Sequence, residues 1–176
     1  MSIESITAQI KAQGNKIPPV ELWDPDYCGE MDLQIKANGD WFYGGTIFKR
    51  PALVKLLSSV FKKEDNDYFL VTTVEKIKIK VDDAPFVLTQ WHWQDDSQKN
   101  MIVRNNVDNE FLLDDNHPIT ISETGELYIT VRRNLVAKVH RNVYYQWIDL
   151  AKEETTKNGT ELVFTSAGYR FCLGEI

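Results

Sequence analysis

The sequence predicts a β-rich α+β protein made of two similar small lobes. Three observations lead there. Short runs of alternating apolar and polar residues recur along the chain between Gly- and Asn-containing turns, as at Leu33, Ile35 and Ala37 and again at Ile119 and Ile121. Only three segments carry helical spacing. A hairpin, a helix and a strand pair follow one another twice, roughly 90 residues apart. Asn38-Gly39-Asp40-Trp41 answers to Thr124-Gly125-Glu126-Leu127, and the stretch from Asp67 to Thr72 answers to that from Gly159 to Thr165. The shared residues are few, so the repeat rests on element order; common turn chemistry alone gives short matches of this kind. The predicted division is an N-terminal helix and linker over 1–20, an N-terminal lobe over 21–86 and a C-terminal lobe over 87–176.

Ser2 can cap a helix whose Ile3, Ile6 and Ile10 share a face; Gly14 ends it and Pro18-Pro19 extends the link. Asn38-Gly39 suggests a type I′ hairpin between Leu33–Ala37 and Trp41–Tyr43. Arg50-Pro51 opens a second helix with Leu53, Val54, Leu57, Val60 and Phe61 along one side and Lys62-Lys63 at its end. After a loop at Asp65-Asn66-Asp67, residues Tyr68 to Val81 read as strand, followed by strands over Phe86–Trp93 and Met101–Arg104. In the second half Ile119–Ile121, Leu127–Val131 and Leu135–Val139 read as strands. A helix capped near Asn142 follows, with Tyr144, Trp147, Ile148 and Ala151 on one face, and a final hairpin spans Leu162–Phe164 and Tyr169–Leu173.

Composition narrows the function classes. Of the 176 residues 43% are hydrophobic and 11% aromatic, enough for a true core. The net charge is -6 and the pI about 5.1, which argues against duplex nucleic acid, bound chiefly through Lys and Arg at phosphates. No apolar run approaches the ~20 residues that span a bilayer. The N-terminus has no basic region followed by an apolar one, and only Cys28 and Cys172 are present, so a cytoplasmic protein with reduced thiols is expected. No His or Cys spacing forms a metal motif, and no glycine-rich phosphate loop occurs; the sequence names no cofactor.

Several stretches carry a family likeness. They are Gly39-x-Trp41-Phe42-Tyr43-x-Gly45 followed by Arg50, then Leu70 through Lys76, and above all Val81-Asp82-Asp83-Ala84-Pro85-Phe86. Later come Asn105-Asn106-Val107, His117-Pro118, Val131-Arg132, Leu135, Arg141 and Phe171-Cys172-Leu173-Gly174. Over roughly residues 20–176 the chain resembles a bacterial family known as domain-of-unknown-function family 1285. It departs at Thr46 and Thr73, where the family often has Pro, a matter of turn geometry. The resemblance implies a duplicated two-lobe fold whose second lobe loosely resembles pleckstrin-homology domains, a nucleotide-like ligand between the lobes and a role in signalling. It brings no reaction with it.

Six residues are the candidates for chemistry. Glu75, Asp82 and Asp83 could divide acid and base work or hold Mg²⁺, although Asp82-Asp83-Ala84-Pro85 is also turn chemistry. Glu75 falls among Ile77 and Ile79, where an unpaired acid is costly, so an internal ion pair with an arginine is expected. Lys76, with Lys78 and Lys80, forms a basic strand face that either meets an anion or protects an edge. Arg132 and Arg133 are neighbours in a strand and so point to opposite faces. Arg141 stands at a helix start, where the dipole favours acids, which implies a specific partner: an acidic side chain or a ligand phosphate. Trp91 and Trp93 share a strand face, as core or as a binding surface. The leading reading is a non-enzymatic cytoplasmic protein that holds a small anionic, nucleotide-like ligand in an inter-lobe cleft. The alternatives are an adaptor for a protein partner and a hydrolase using Glu75 with Asp82 or Asp83.

Overall fold

Ser2 opens the first helix, α1 (Ile3–Lys11), its hydroxyl accepting from the Ser5 N–H at 3.2 Å. Ile3, Ile6 and Ile10 are all buried, as their spacing demands, and α1 lies against α2 (Pro51–Ser58). Residues 2–12, 14 and 17–176 are described in this structure, a computed structural model, which divides into two compact units, residues 1–83 and 84–176.

The first unit continues with a 3-10 turn at Val20–Leu22 and then β1 (Tyr27–Ile35), β2 (Trp41–Tyr43), β3 (Thr46–Ile47), α2, β4 (Phe61–Glu64), β5 (Asp67–Val71) and β6 (Lys76–Val81). They form one six-stranded sheet, ordered β3-β2-β1-β6-β5-β4. The first and last three strands are antiparallel meanders, and β1 meets β6 in parallel. Trp41 stacks on Phe61, with ring centroids 5.5 Å apart, so residues from the two meanders meet in the core.

The second unit holds β7 (Phe86–Trp93), β8 (Met101–Asn105), β9 (Glu110–Leu112), β10 (Ile119–Ile121), β11 (Leu127–Arg132), β12 (Leu135–Val139), α3 (Arg141–Leu150), β13 (Lys152–Thr156), β14 (Gly159–Ser166) and β15 (Tyr169–Glu175). Its six-stranded sheet runs β10-β11-β12-β7-β8-β9, with β12 parallel to β7, and β13-β14-β15 form a second sheet. The β14–β15 hairpin docks on the six-stranded sheet of the same unit through Ser166, which is fully buried. The Ser166 hydroxyl accepts from the Met101 N–H at 2.9 Å and donates to the Leu113 carbonyl at 2.7 Å. Strand β10 also runs against β15, so the two sheets curl toward closure.

The duplication is clear in the register. Ile35 pairs with Trp41 around Gly39, and Ile121 pairs with Leu127 around Gly125. In both loops the glycine N–H returns to the residue three before it (Gly39 to Lys36, 2.9 Å; Gly125 to Ser122, 3.0 Å). Both glycines have φ near +90°, at +93° and +84°. A three-strand meander, a helix and a second three-strand meander follow in each unit, β1-β2-β3-α2-β4-β5-β6 matching β10-β11-β12-α3-β13-β14-β15. The β7-β8-β9 meander is additional to the second unit.

Four local expectations give way. The Asn38-Gly39 loop is not type I′: only Gly39 takes a positive φ, which makes a three-residue loop with a glycine bulge. Helix α2 stops at Ser58 because Ser58 and Ser59 turn their hydroxyls back to the Lys55 and Leu56 carbonyls, and Phe61 to Glu64 start a strand instead. The single strand expected over 68–81 is a hairpin, whose turn is held by the Thr72 hydroxyl accepting from the Val74 and Glu75 N–H groups. Arg132 and Arg133 do not alternate in a strand, since Arg133, at φ +50°, sits in the β11–β12 turn.

Two anchors can be tested. Trp147 of α3 is fully buried and packs on Phe164 at 5.1 Å between ring centroids. Trp147→Ala is expected to destabilise the protein by about 3–5 kcal/mol in chemical denaturation. Across the first sheet, the Lys76 ammonium lies 4.6 Å from the Phe69 ring centroid and pairs with Glu64, holding that carboxylate below the ordinary glutamate range. A lowered folded pKa gives stability present above the unfolded glutamate value and lost as pH falls through the folded one. The melting temperature of the wild type should therefore exceed that of Glu64→Gln at neutral pH, and the gap should close in acid below the usual glutamate titration. A gap unchanged down to pH 2 would contradict this.

Candidate functional site

The three acids singled out in the sequence are each engaged locally. Glu75 meets no arginine among the described residues; its Oε2 accepts from the Gln9 Nε2 of α1 at 3.0 Å, so a neutral amide satisfies it. Asp82 accepts from the Gln34 Nε2 at 2.7 Å. Asp83 lies close enough to the Tyr68 phenol to help raise its pKa, behind the larger effect of burial. Glu75 precedes β6 and Asp82 follows it, so a six-residue strand separates them by about 20 Å. A shared acid–base step needs the two groups at one reacting centre, and this spacing does not supply it. Among the described residues no three His, Cys, Asp or Glu side chains are grouped for a metal ion.

Lys76 is committed to Glu64 and to the Phe69 ring, and Lys78 pairs with Asp67 at 3.4 Å. Both belong to an internal charge pattern across the sheet. A groove of about 330 Å³ opens between β1 and β6, where the register steps from Glu30↔Lys78 to Gln34↔Lys80. Its lining mixes Glu30 and Asp67 with Lys78 and Lys80, so the charges offset one another.

Arg132 and Arg141 belong to the second unit but not to one cluster. They stand at opposite ends of β12, about 15 Å apart along the strand. The Arg132 guanidinium lies 5.3 Å from the Phe86 ring centroid. Burial first, and Arg133 second, push its pKa down to about 10, which leaves it charged at neutral pH. It reads as a cation packed on an aromatic face.

Arg141 differs. It is exposed at the first position of α3, and among the described residues its side chain has no hydrogen bond or ion pair. The helix start is fixed from behind: the His140 N–H donates to the Leu88 carbonyl at 2.9 Å, and the His140 Nδ1 accepts from the Asn142 N–H at 3.1 Å. The first turn of α3 contains no acid, so nothing on the helix offsets the positive dipole end or the guanidinium. Val143 and Trp147 turn into the core, leaving Arg141, Tyr144 and Tyr145 on the outer side.

These residues line a groove of about 460 Å³, together with the Thr124–Leu127 turn and Lys138-Val139 at the end of β12. The Lys138 ammonium reaches the Glu126 carboxylate at 3.1 Å. Tyr145 is 55% exposed, and its ring centroid lies 5.8 Å from that of Tyr144 at an interplanar angle of 60°. The groove lies wholly within the second unit. It combines two cations, one acid and two phenol rings, within the size range of small-molecule sites. Arg141 had a sequence signal in its misfit with the helix dipole. Lys138, Glu126, Tyr144 and Tyr145 had none as ligand groups, because their meeting depends on the β10–β11 turn approaching α3.

Trp91 and Trp93 form a half-buried T-shaped pair, 5.7 Å between centroids, and the Trp91 indole N–H donates to the Gln146 Oε1 at 2.8 Å. The pair is flanked by exposed Gln90, His92 and Gln94, so it does not continue into a broad apolar surface along the strand.

Comparison with known proteins agrees with the two-unit architecture. No curated protein matches the chain. A crystal structure of a DUF1285 family protein from Silicibacter pomeroyi DSS-3 superposes with a TM-score of 0.81 at 31% identity, covering 97% of this chain and 95% of that one. A second, a DUF1285 family protein from Shewanella baltica OS155, gives a TM-score of 0.57 at 26% identity over 68% of this chain and 91% of that one. Family models for the N-terminal and C-terminal domains of DUF1285, described as a domain and a protein of unknown function, match residues 18–84 and 85–173. The chain belongs to the DUF1285 family.

Proposed function

We propose that this chain is a non-catalytic binding protein for a small anionic, nucleotide-like ligand, held in the second-unit groove at the start of α3. One observation carries the reading: Arg141 is a cation with no partner among the described residues, at the electropositive end of a helix, in a groove that also holds Lys138. Placing a guanidinium there costs roughly 0.3–1 kcal/mol against the helix dipole, a cost that an arriving anion reverses. A phosphate can accept a bidentate pair of hydrogen bonds from Arg141. Tyr144 and Tyr145 offer ring faces beside it, which suits a ligand with a planar group attached to its phosphate.

Binding without turnover fits the distribution of acids. Glu75 and Asp82 flank one strand of the other unit at opposite ends, each accepting from a glutamine amide, and Asp83 follows Asp82. A sensing role in signal transduction, in which occupancy itself is the output, is the corresponding biological reading.

A thermal-shift series with nucleoside monophosphates, cyclic nucleotides and inorganic phosphate tests the proposal. A ligand present at a hundredfold excess over its Kd stabilises the native state by about 2.7 kcal/mol. For a chain of this length that corresponds to a rise in Tm of roughly 5–10 °C. Arg141→Ala should lose most of that shift, with affinity reduced about ten- to a hundredfold through loss of charge-assisted hydrogen bonds. Its unliganded Tm should be equal to that of the wild type or slightly higher. No shift with any of these anions, or an equal shift in the variant, would contradict the assignment.

A further inference from the structure

The groove that would receive the anion already contains one. Glu126 follows Gly125 in the β10–β11 turn, and its backbone is held on both sides. Its N–H donates to the Ser122 Oγ at 3.0 Å, and its carbonyl accepts from the Ser122 N–H at 2.9 Å. Its side chain therefore projects from a fixed point. One carboxylate oxygen sits 3.1 Å from the Lys138 Nζ, and the other accepts from the Tyr128 hydroxyl at 3.4 Å. The Glu126 side chain is 46% exposed and that of Lys138 26%, so this is a surface pair. Such pairs contribute little to stability and separate at small cost.

The internal repeat shows that the fold itself does not require this pair. Tyr128 faces Lys138 across β11 and β12 as Phe42 faces Ile47 across β2 and β3. The turn residue equivalent to Glu126 is Asp40, which accepts from its own neighbour, the Asn38 amide, at 3.0 Å. The helix position equivalent to Arg141 is Pro51. At the same corner the first unit thus has Ile47 and Pro51 where the second has Lys138 and Arg141. The second-unit charges are an addition to the shared scaffold, and they include an acid that lines the same groove as the cations and pairs with one of them.

We infer that Glu126 is an affinity-setting competitor in this groove: it holds Lys138 when the groove is empty and gives it up to the ligand's phosphate. This rests on the anion-binding reading of the same groove. A monoanion can be satisfied by Arg141 alone and leaves the Glu126–Lys138 pair in place. A phosphate monoester carries close to two negative charges at neutral pH. It gains from both cations, and it must displace the carboxylate to do so. Glu126 opposes a dianion more than a monoanion, because Coulomb repulsion scales with the ligand's charge. It keeps phosphate binding reversible and sensitive to salt.

Isothermal titration with adenosine monophosphate and with acetate, on wild type, Glu126→Gln, Lys138→Met and the double variant, tests this. Glu126→Gln should tighten adenosine monophosphate about three- to tenfold, the span of one exposed charge interaction. Its gain for acetate, a monoanion, should be smaller. Lys138→Met should weaken the wild-type interaction, and in that background the benefit of Glu126→Gln should shrink. Circular dichroism and unliganded Tm values close to wild type establish that all four proteins are folded. Equal or weaker binding by Glu126→Gln, with binding still dependent on Arg141, overturns the competitor role and leaves the groove assignment standing. Absence of binding in wild type and Glu126→Gln alike, up to millimolar ligand, overturns both.

Discussion

The burial of Trp147 is the interaction on which the second unit's groove depends. Its ring packs on Phe164, which continues through Phe171 (5.3 Å between centroids) to Tyr169 (4.8 Å from Phe171). That aromatic row ties α3 to the β14–β15 hairpin. A ten-residue helix is too short to persist on its own propensity; it stands because Val143 and Trp147, one turn apart, turn inward together. With one face fixed in the core, the spacing of 3.6 residues per turn leaves Arg141 and Tyr145 facing away from it and the half-buried Tyr144 on its flank. The hydrogen bond from His140 to the Leu88 carbonyl fixes the other end of the lever. An arginine in a frayed first turn would be a mobile surface charge; on an anchored helix it is a placed one.

The two units use one scaffold for different surfaces. The glycine-bulged loops, their hydrogen bonds and the strand register after them agree residue for residue, whereas the side chains at the shared corner do not. In the first unit α1 packs against α2, with Ile3, Ile6 and Ile10 all buried. In the second unit α3 contacts β7, where Gln146 meets Trp91. The duplicated part supplies geometry, and the unduplicated parts decide which faces are covered. Function in such a fold belongs to local side-chain chemistry rather than to the fold as a whole.

Much of the architecture was legible because its signals are local. Asn38-Gly39 and Thr124-Gly125 marked their hairpins, Ser2 its helix, and Arg50-Pro51 the start of α2. The failures share a cause: adjacent elements with compatible patterns run together. Val60 and Phe61 continue the helical stripe of α2, so the break made by Ser58 and Ser59 was hidden. The β5–β6 turn, Thr72-Thr73-Val74-Glu75, contains no Gly, Pro, Asn or Asp to mark it, and only the backbone bonding of Thr72 reveals it. Strand β13, Lys-Glu-Glu-Thr-Thr, has no apolar residue and is set by pairing with β14. Partners distant in the chain were beyond reach: Gln9 answers Glu75, and Glu126 answers Lys138. Arg141 could be singled out early because its anomaly is local, a cation at the wrong end of a helix.

Mapping where an anion touches the protein decides whether the second-unit groove is a binding site. In ¹⁵N–¹H correlation spectra, titration with adenosine monophosphate should move the amides of Gly125, Glu126, Lys138 and residues 141–145 most, saturating together along one binding curve. Shifts confined to residues 1–83, or a spectrum unmoved at millimolar ligand, would contradict it.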